Sequence, residues 1–211
     1  GQLTLSSGSV QISADTTILG GPAGATVQIP QAASVLRMNG HTVVQAGAIF
    51  TGDGAIRSAA TGDLRLDNGA SLGDIGLIND GALKIGETVG IASVDRLQLG
   101  ATSVWKVALG GPTPGAEHDA MLVSDGVATM QGELLVTHSD LGGGVFRPQV
   151  GDEFVIVNAV GGVSGAFAND PSSNVGPQRY EWKVIYNPNS IVLRLDQVVC
   201  LGDVNGDGVI D

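Results

Sequence analysis

Three features of this chain predict an all-β protein, wound as a parallel β-helix-like solenoid and closed by a C-terminal capping β-region. Its strand-like segments are very short and alternate apolar with polar residues. The residues they bury are aliphatic, since Phe50 is the one aromatic in positions 1–100. Glycine, 33 of 211 residues, stands at nearly every corner. Helical spacing of apolar residues is sustained over no long window. A β-sandwich built from hairpins is the competing architecture. The short strands, aliphatic filling and glycine corners favour the solenoid, whose narrow lumen suits Val, Ile, Leu and Ala.

The first unit, 1–102, is the Gly-rich solenoid. Its strands are expected at Leu3–Leu5, Ser9–Ile12, Thr26–Ile29, Val35–Met38, Asp63–Leu66, Ala82–Ile85 and Asp95–Leu99. Between them the near-regularly spaced dipeptides Asn39-Gly40, Asp53-Gly54, Asn68-Gly69 and Asp80-Gly81 are expected to turn the chain through positive φ. Ile56, Leu64, Leu66, Ile75, Ile78, Leu83 and Ile85 should share one lumen. From 103 to 196 the texture changes, because seven of the eight aromatics fall there and the strands lengthen. The expected strands are Ser103–Leu109, Ala120–Val123, Ala128–His138, Glu153–Ala159, Tyr180–Tyr186 and Ser190–Leu195. This second unit reads as an antiparallel cap, which an open last coil needs to avoid recruiting other chains.

Composition narrows function. A formal net charge of −11 argues against nucleic acid and anionic membrane surfaces, which require Lys/Arg patches. No apolar run reaches the length of a membrane span. The opening Gly1-Gln2-Leu3 suits a processed N-terminus and equally a start engineered for expression. A single cysteine, Cys200, excludes an internal disulfide and reads as a small hydrophobe ending a strand, or as a thiol pairing with another chain. An extracellular or cell-surface location is expected.

Catalytic signals are thin. Gly69-Ala70-Ser71-Leu72-Gly73 matches the nucleophile-elbow pattern, but a strand and turn follow it where a helix is required. His118, between Glu117 and Asp119, suggests a metal ligand or general base; the plainer reading is a polar residue leading into a strand. Asp53, Asp63, Asp67, Asp74, Asp80, Glu87 and Asp95 are spread along the solenoid, mostly beside Gly or Asn, as turn residues are. Not an enzyme is therefore the expectation.

Three stretches, Glu117–Val123, Pro148–Val157 and Val163–Asn169, resemble the C-terminal region of secreted autotransporter-like β-helical proteins of the planctomycete and exosortase type. The resemblance covers about residues 100–196 and implies a surface or secreted structural protein. Residues 197–211 look like the start of a dockerin-type calcium loop. In that resemblance the Ca²⁺ ligands map to Asp203, Asn205, Asp207, the Val209 carbonyl and Asp211, with Gly208 at the turn and Ile210 as the apolar pin. The bidentate carboxylate of loop position 12 falls beyond residue 211. The expected function is an extracellular structural or adhesive surface protein, of a kind that could self-associate as a fibre or surface-layer unit. The alternative is a carbohydrate-binding or carbohydrate-active module of a dockerin-bearing assembly. Partners expected are a second copy end to end, a cohesin-like protein at the tail, and an extracellular polysaccharide. Exposed aromatics at Trp105, Tyr180, Trp182 and Tyr186 would favour the alternative; buried ones favour the structural unit.

Overall fold

The computed structural model describes residues 2–4, 8–12, 16–19 and 25–200. The strands wind in successive coils of three. The first is β1 (Gln2–Thr4), β2 (Ser9–Ile12) and β3 (Thr16–Leu19); the second is β4 (Thr26–Gln28), β5 (Val35–Met38) and β6 (His41–Val44). The third is β7 (Ile49–Thr51), β8 (Ala55–Ser58) and β9 (Asp63–Leu66); the fourth is β10 (Ala70–Ser71), β11 (Gly76–Asn79) and β12 (Ala82–Ile85). The fifth is β13 (Ile91–Val94), β14 (Leu97–Leu99) and β15 (Val104–Leu109); the sixth is β16 (Ala120–Val123), β17 (Ala128–Met130) and β18 (Glu133–His138). A last turn holds β19 (Glu153–Ala159) and β20 (Val163–Gly165), followed by β21 (Ser172–Val175), β22 (Gln178–Asn187) and β23 (Ser190–Cys200). Among the described residues no helix is long and apolar enough to cross a membrane.

Nearly every strand pairs in parallel with the strand three places on, which makes three faces. The second face runs β2-β5-β8-β11-β14-β17-β20 and the third runs β3-β6-β9-β12-β15-β18. The first face comes in two sheets, β1-β4-β7 and the one that starts β10-β13-β16-β19. The chain is an all-β, parallel β-helix-like solenoid. The repeat is visible in the vertical pairing, where Leu36, Ile56, Leu77 and Leu97 stack one above the next, each a coil apart. Alternation turns those side chains inward and every second one out.

The lumen is filled as the aliphatic pattern demands. Ile56, Leu64, Leu66, Ile75, Leu83 and Ile85 are all buried in one cluster. Ile78 is the exception. It is only half-buried and lies in register with Arg57 and Gln98 on the outer side, because its neighbours Leu77 and Asn79 take the two inward positions of β11. Asn79 fits the lumen by donating from Nδ2 to the Gly81 carbonyl at 2.7 Å and to Ser103 Oγ at 2.8 Å. Its Oδ1 is buried too and has no hydrogen-bond partner among the described residues, so only the donor side of the amide is satisfied.

The turn glycines work differently from the expectation. Gly69 has φ +81°, but Gly40, Gly54 and Gly81 do not adopt positive φ. Gly81 is required by close approach: a Cβ there would stand 2.2 Å from the Gly62 carbonyl oxygen of the coil before it. The spacing of the turn dipeptides is shorter than the step from Leu36 to Ile56 or from Ile56 to Leu77, so it is not the coil repeat.

Parallel stacking continues past 102 as far as β20. The coils there are longer. One turn of the stack carries the chain from Leu97 to Ala128 and another from Met121 to Val157, against Ile56 to Leu77 earlier. The extra residues go into loops at the corners. The single strand expected over Ala128–His138 is two, β17 and β18, separated by a turn at Gly132 with φ +72°. Among the described strands antiparallel pairing is confined to the end, in the order β19-β23-β22-β21. This closure carries Trp182 and Tyr180, both buried. The outer edge of β18 is blunted by one side chain. Leu134 N–H donates to Asn169 Oδ1 and Asn169 Nδ2 donates to the Leu134 carbonyl, each at 2.9 Å, so the amide stands in for a neighbouring strand.

Candidate functional site

The chemistry of the described residues concentrates at two buried junctions in the second half. The first is where the loop 110–118 returns the chain from β15 to β16. Asp119 is fully buried. Its Oδ1 accepts the Gly90 N–H at 2.8 Å and its Oδ2 accepts the Ala108 N–H at 2.9 Å, so one carboxylate ties the start and end of the fifth coil to the start of the sixth. Burial pushes its pKa from 3.8 up to about 7; the two N–H groups and the nearby Lys84 oppose the rise without cancelling it. Sequence reasoning passed over Asp119 as a flank of His118. A carboxylate directly leading the apolar strand Ala120–Val123 was the available signal.

His118 beside it is also fully buried. Its Nδ1 lies 3.1 Å from the Gly111 carbonyl and its Nε2 lies 3.2 Å from the Val155 carbonyl. Phe154 packs edge-on against the ring, with centroids 5.4 Å apart. Burial lowers the pKa of His118, while the two carbonyls and Glu117 act against that. Held between backbone carbonyls, this imidazole fastens the loop to β19.

The second junction lies under the closing hairpin. Trp182 Nε1–H donates to Ser173 Oγ at 2.9 Å, and Ser173 Oγ lies 2.7 Å from His138 Nε2. The other ring nitrogen, Nδ1, lies 2.9 Å from the Phe146 carbonyl. Tyr180 and Trp182 pack against the ring at centroid distances of 4.7 and 5.9 Å. Burial lowers the pKa of His138; the Phe146 carbonyl raises it, and Arg147 lowers it further.

The remaining sequence candidates sit apart from both junctions. His41 is an exposed partner of Asp63 at 3.2 Å. Ser71 is exposed on β10, where its Oγ accepts the Gly73 N–H at 3.3 Å. Asp80 pairs with Arg57 at 2.6 Å, and Arg65 binds both Asp67 and Glu87. Asp95 is raised by burial, held down by its neighbour Arg96, and raised again by the carboxylates of Asp125, Asp74 and Asp53, which successive coils bring to one corner. Cys200 ends β23, half-buried and in register with Gln178. The calcium-loop residues Asp203, Asn205, Asp207, Val209 and Asp211 lie outside the described residues.

The outer faces carry shallow grooves. One of about 610 Å³ follows the second face past Gly54, Gly76 and Gly126, with Arg96 lying across it. Arg96 Nη2 donates to the Asp53 carbonyl at 2.9 Å. A more apolar one of about 500 Å³ lies among Leu122, Val123, Ala159 and Val160 on the first face. Of the four aromatics that discriminate the two functional readings, Trp105, Tyr180 and Trp182 are buried at 0, 2 and 3% exposure, and Tyr186 is 37% exposed. Tyr186 is itself engaged, its hydroxyl oxygen accepting the Phe167 N–H at 2.8 Å. No family model and no curated protein sequence matches the chain.

Proposed function

We propose that the chain is a structural or adhesive unit of an extracellular assembly, using its solenoid as a scaffold and not as a catalytic cleft. The observation that carries this reading is the burial of Trp105, Tyr180 and Trp182 inside the molecule, where they act as packing. A polysaccharide platform needs aromatic faces in a row on the surface, and Tyr186 alone does not make one. Three of the carboxylates on the coils support the same reading, since Asp67, Asp80 and Glu87 are paired with arginines.

The tail from Asp203 to Asp211 fits such a unit as a Ca²⁺-dependent attachment point for a cohesin-like protein, on the strength of its ligand spacing. End-to-end association with a second copy belongs to the same proposal. Among the described strands β1, β2 and β3 are edges of their sheets, and Val10 on β2 is exposed. Affinity electrophoresis in gels containing soluble plant and microbial polysaccharides tests the functional reading. Unretarded migration is expected. Saturable retardation that Tyr186→Ala abolishes would establish the carbohydrate-binding alternative. Sedimentation velocity over a hundredfold concentration range tests association; a single monomer boundary throughout would remove the self-assembling part.

A further inference from the structure

We propose that His138 and Ser173 form an acid-sensitive latch that holds the closing hairpin β21–β22 over the outer edge of β18, and that protonating His138 releases it. The inference stands on the direction of a hydrogen-bond chain and is independent of what the protein touches.

Both ends of that chain are chemically fixed. The Trp182 indole nitrogen only donates, and the Phe146 carbonyl only accepts. His138 must therefore carry its proton on Nδ1 and present a lone pair at Nε2. The Ser173 hydroxyl, already accepting from Trp182, gives its own hydrogen to that lone pair. Each proton has one acceptor, and each contact runs the same way. The opposite tautomer would set the Nδ1 lone pair against the Phe146 oxygen.

Protonation breaks the chain at its centre. Nε2 becomes a donor, so Ser173 Oγ receives two N–H groups and its hydroxyl hydrogen loses its acceptor. Ser173 is 9% exposed, so water does not readily replace that acceptor. The ionisable groups around the ring do not stabilise the cation. On the loop after β18, Arg147 repels it, while Asp140 is engaged with the Gly142 and Gly144 N–H groups. No residue of β21, Ser172–Val175, is ionisable. On β22, Tyr180 and Trp182 face the ring, whereas Arg179 and Glu181 alternate to the other side and pair with each other at 3.5 Å. Lys106 of β15 stands in register with Leu135, on the outer side of the third face. The aromatic faces of Tyr180 and Trp182 return part of the cost as cation–π attraction. The lowered pKa of His138 agrees in direction with the balance.

The latch joins four segments: β18 through His138, the loop after it through Phe146, β21 through Ser173, and β22 through Trp182. What it covers is the edge strand of the third face. Its opening would uncover unpaired backbone on β18, the surface most able to add another strand.

Two measurements on the intact chain test this. Hydrogen exchange, corrected for the intrinsic effect of pH and measured in an Asp119→Asn background so that the titration of that carboxylate does not contribute, should be roughly tenfold faster over 133–138 and 172–187 at pH 5 than at pH 7.5. His138→Gln should abolish that pH dependence, and His118→Gln should leave it intact. Exchange independent of pH, or a response lost in His118→Gln and kept in His138→Gln, overturns the latch. Should His138→Gln not fold, the ¹⁵N imidazole spectrum of the unmodified protein decides. A proton on Nδ1 at pH 7.5 with a pKa below that of free histidine supports the proposal; a proton on Nε2 overturns it.

Discussion

Replacing Asp119 by Asn should separate two effects that oppose each other at one buried carboxylate. Its two oxygens satisfy the Gly90 and Ala108 N–H groups, which favours the anion. Its complete burial disfavours the anion and wins, holding the pKa at about 7 against an ordinary 3.8. A folded-state pKa raised above the unfolded one contributes stability that is fully present below about pH 4 and is lost as pH climbs through about 7. A rise of that size corresponds to at most about 4 kcal/mol. The unmodified protein should therefore lose up to that amount relative to Asp119→Asn between pH 4 and pH 8. The two should nearly coincide in acid, where the protonated acid and the amide have the same shape and one good acceptor each. Asp119→Ala leaves both N–H groups unpaired where the amide still serves one, so it should be less stable than Asp119→Asn at every pH, by roughly 1–3 kcal/mol. Urea unfolding followed by the emission of Trp105 and Trp182 at pH 4.5, 6, 7 and 8 measures all three. Histidine titrations are shared by the variants and largely cancel in the differences. A difference between Asp and Asn that is flat with pH, or that favours Asp as pH rises, would refute the ranking of burial over the two N–H bonds.

Other outcomes follow from single contacts. Asn169→Ala removes both bonds to Leu134 and should cost roughly 1–2 kcal/mol. It should also make the protein self-associate through the uncovered β18 edge, visible as sedimentation more strongly dependent on concentration than that of the unmodified chain under the same conditions. Gly81→Ala forces a methyl group onto the Gly62 and Ala59 carbonyls, both backbone and unable to turn away, and should cost about 3 kcal/mol, or roughly 6–12 °C in Tm by calorimetry. For the tail, isothermal titration with Ca²⁺ should give weak binding, in the range of about 10⁻⁴–10⁻³ M, lost in the double variant Asp203→Ala/Asp207→Ala. Identical heats from both proteins would mark the motif as a remnant.

The solenoid was legible because its signals are local. Alternation at Asp63–Leu66 and Ala82–Ile85 places those strands at their observed bounds, and a lumen of aliphatic residues needs no long-range information. Ile78 was misplaced because Gly76-Leu77-Ile78-Asn79 has two adjacent apolar residues, and only the pairing of Leu77 with Ile56 and Leu97 decides which points inward. The coil repeat was hidden for a related reason. Turn dipeptides mark corners, and with three corners per coil their spacing follows the corners and not the stack. The two buried junctions were the least legible. Asp119, His118, His138 and Ser173 acquire their chemistry from partners well separated along the chain, many of them on other coils, and no short motif encodes such encounters.

The break in the first face has a mechanical consequence. A stack in which each coil touches only its neighbours unfolds by parting at its weakest junction, much as a zip opens from a damaged tooth. Between the third and fourth coils, ladders join β8 to β11 and β9 to β12, but the first-face sheet ends at β7 and a new one starts at β10. Pulled along its axis, the protein should therefore part between Leu66 and Ala70 before it yields elsewhere among the described coils. The leading coils would then lengthen the chain at low load, while the section sealed by Asp119 and the closing hairpin keeps its shape.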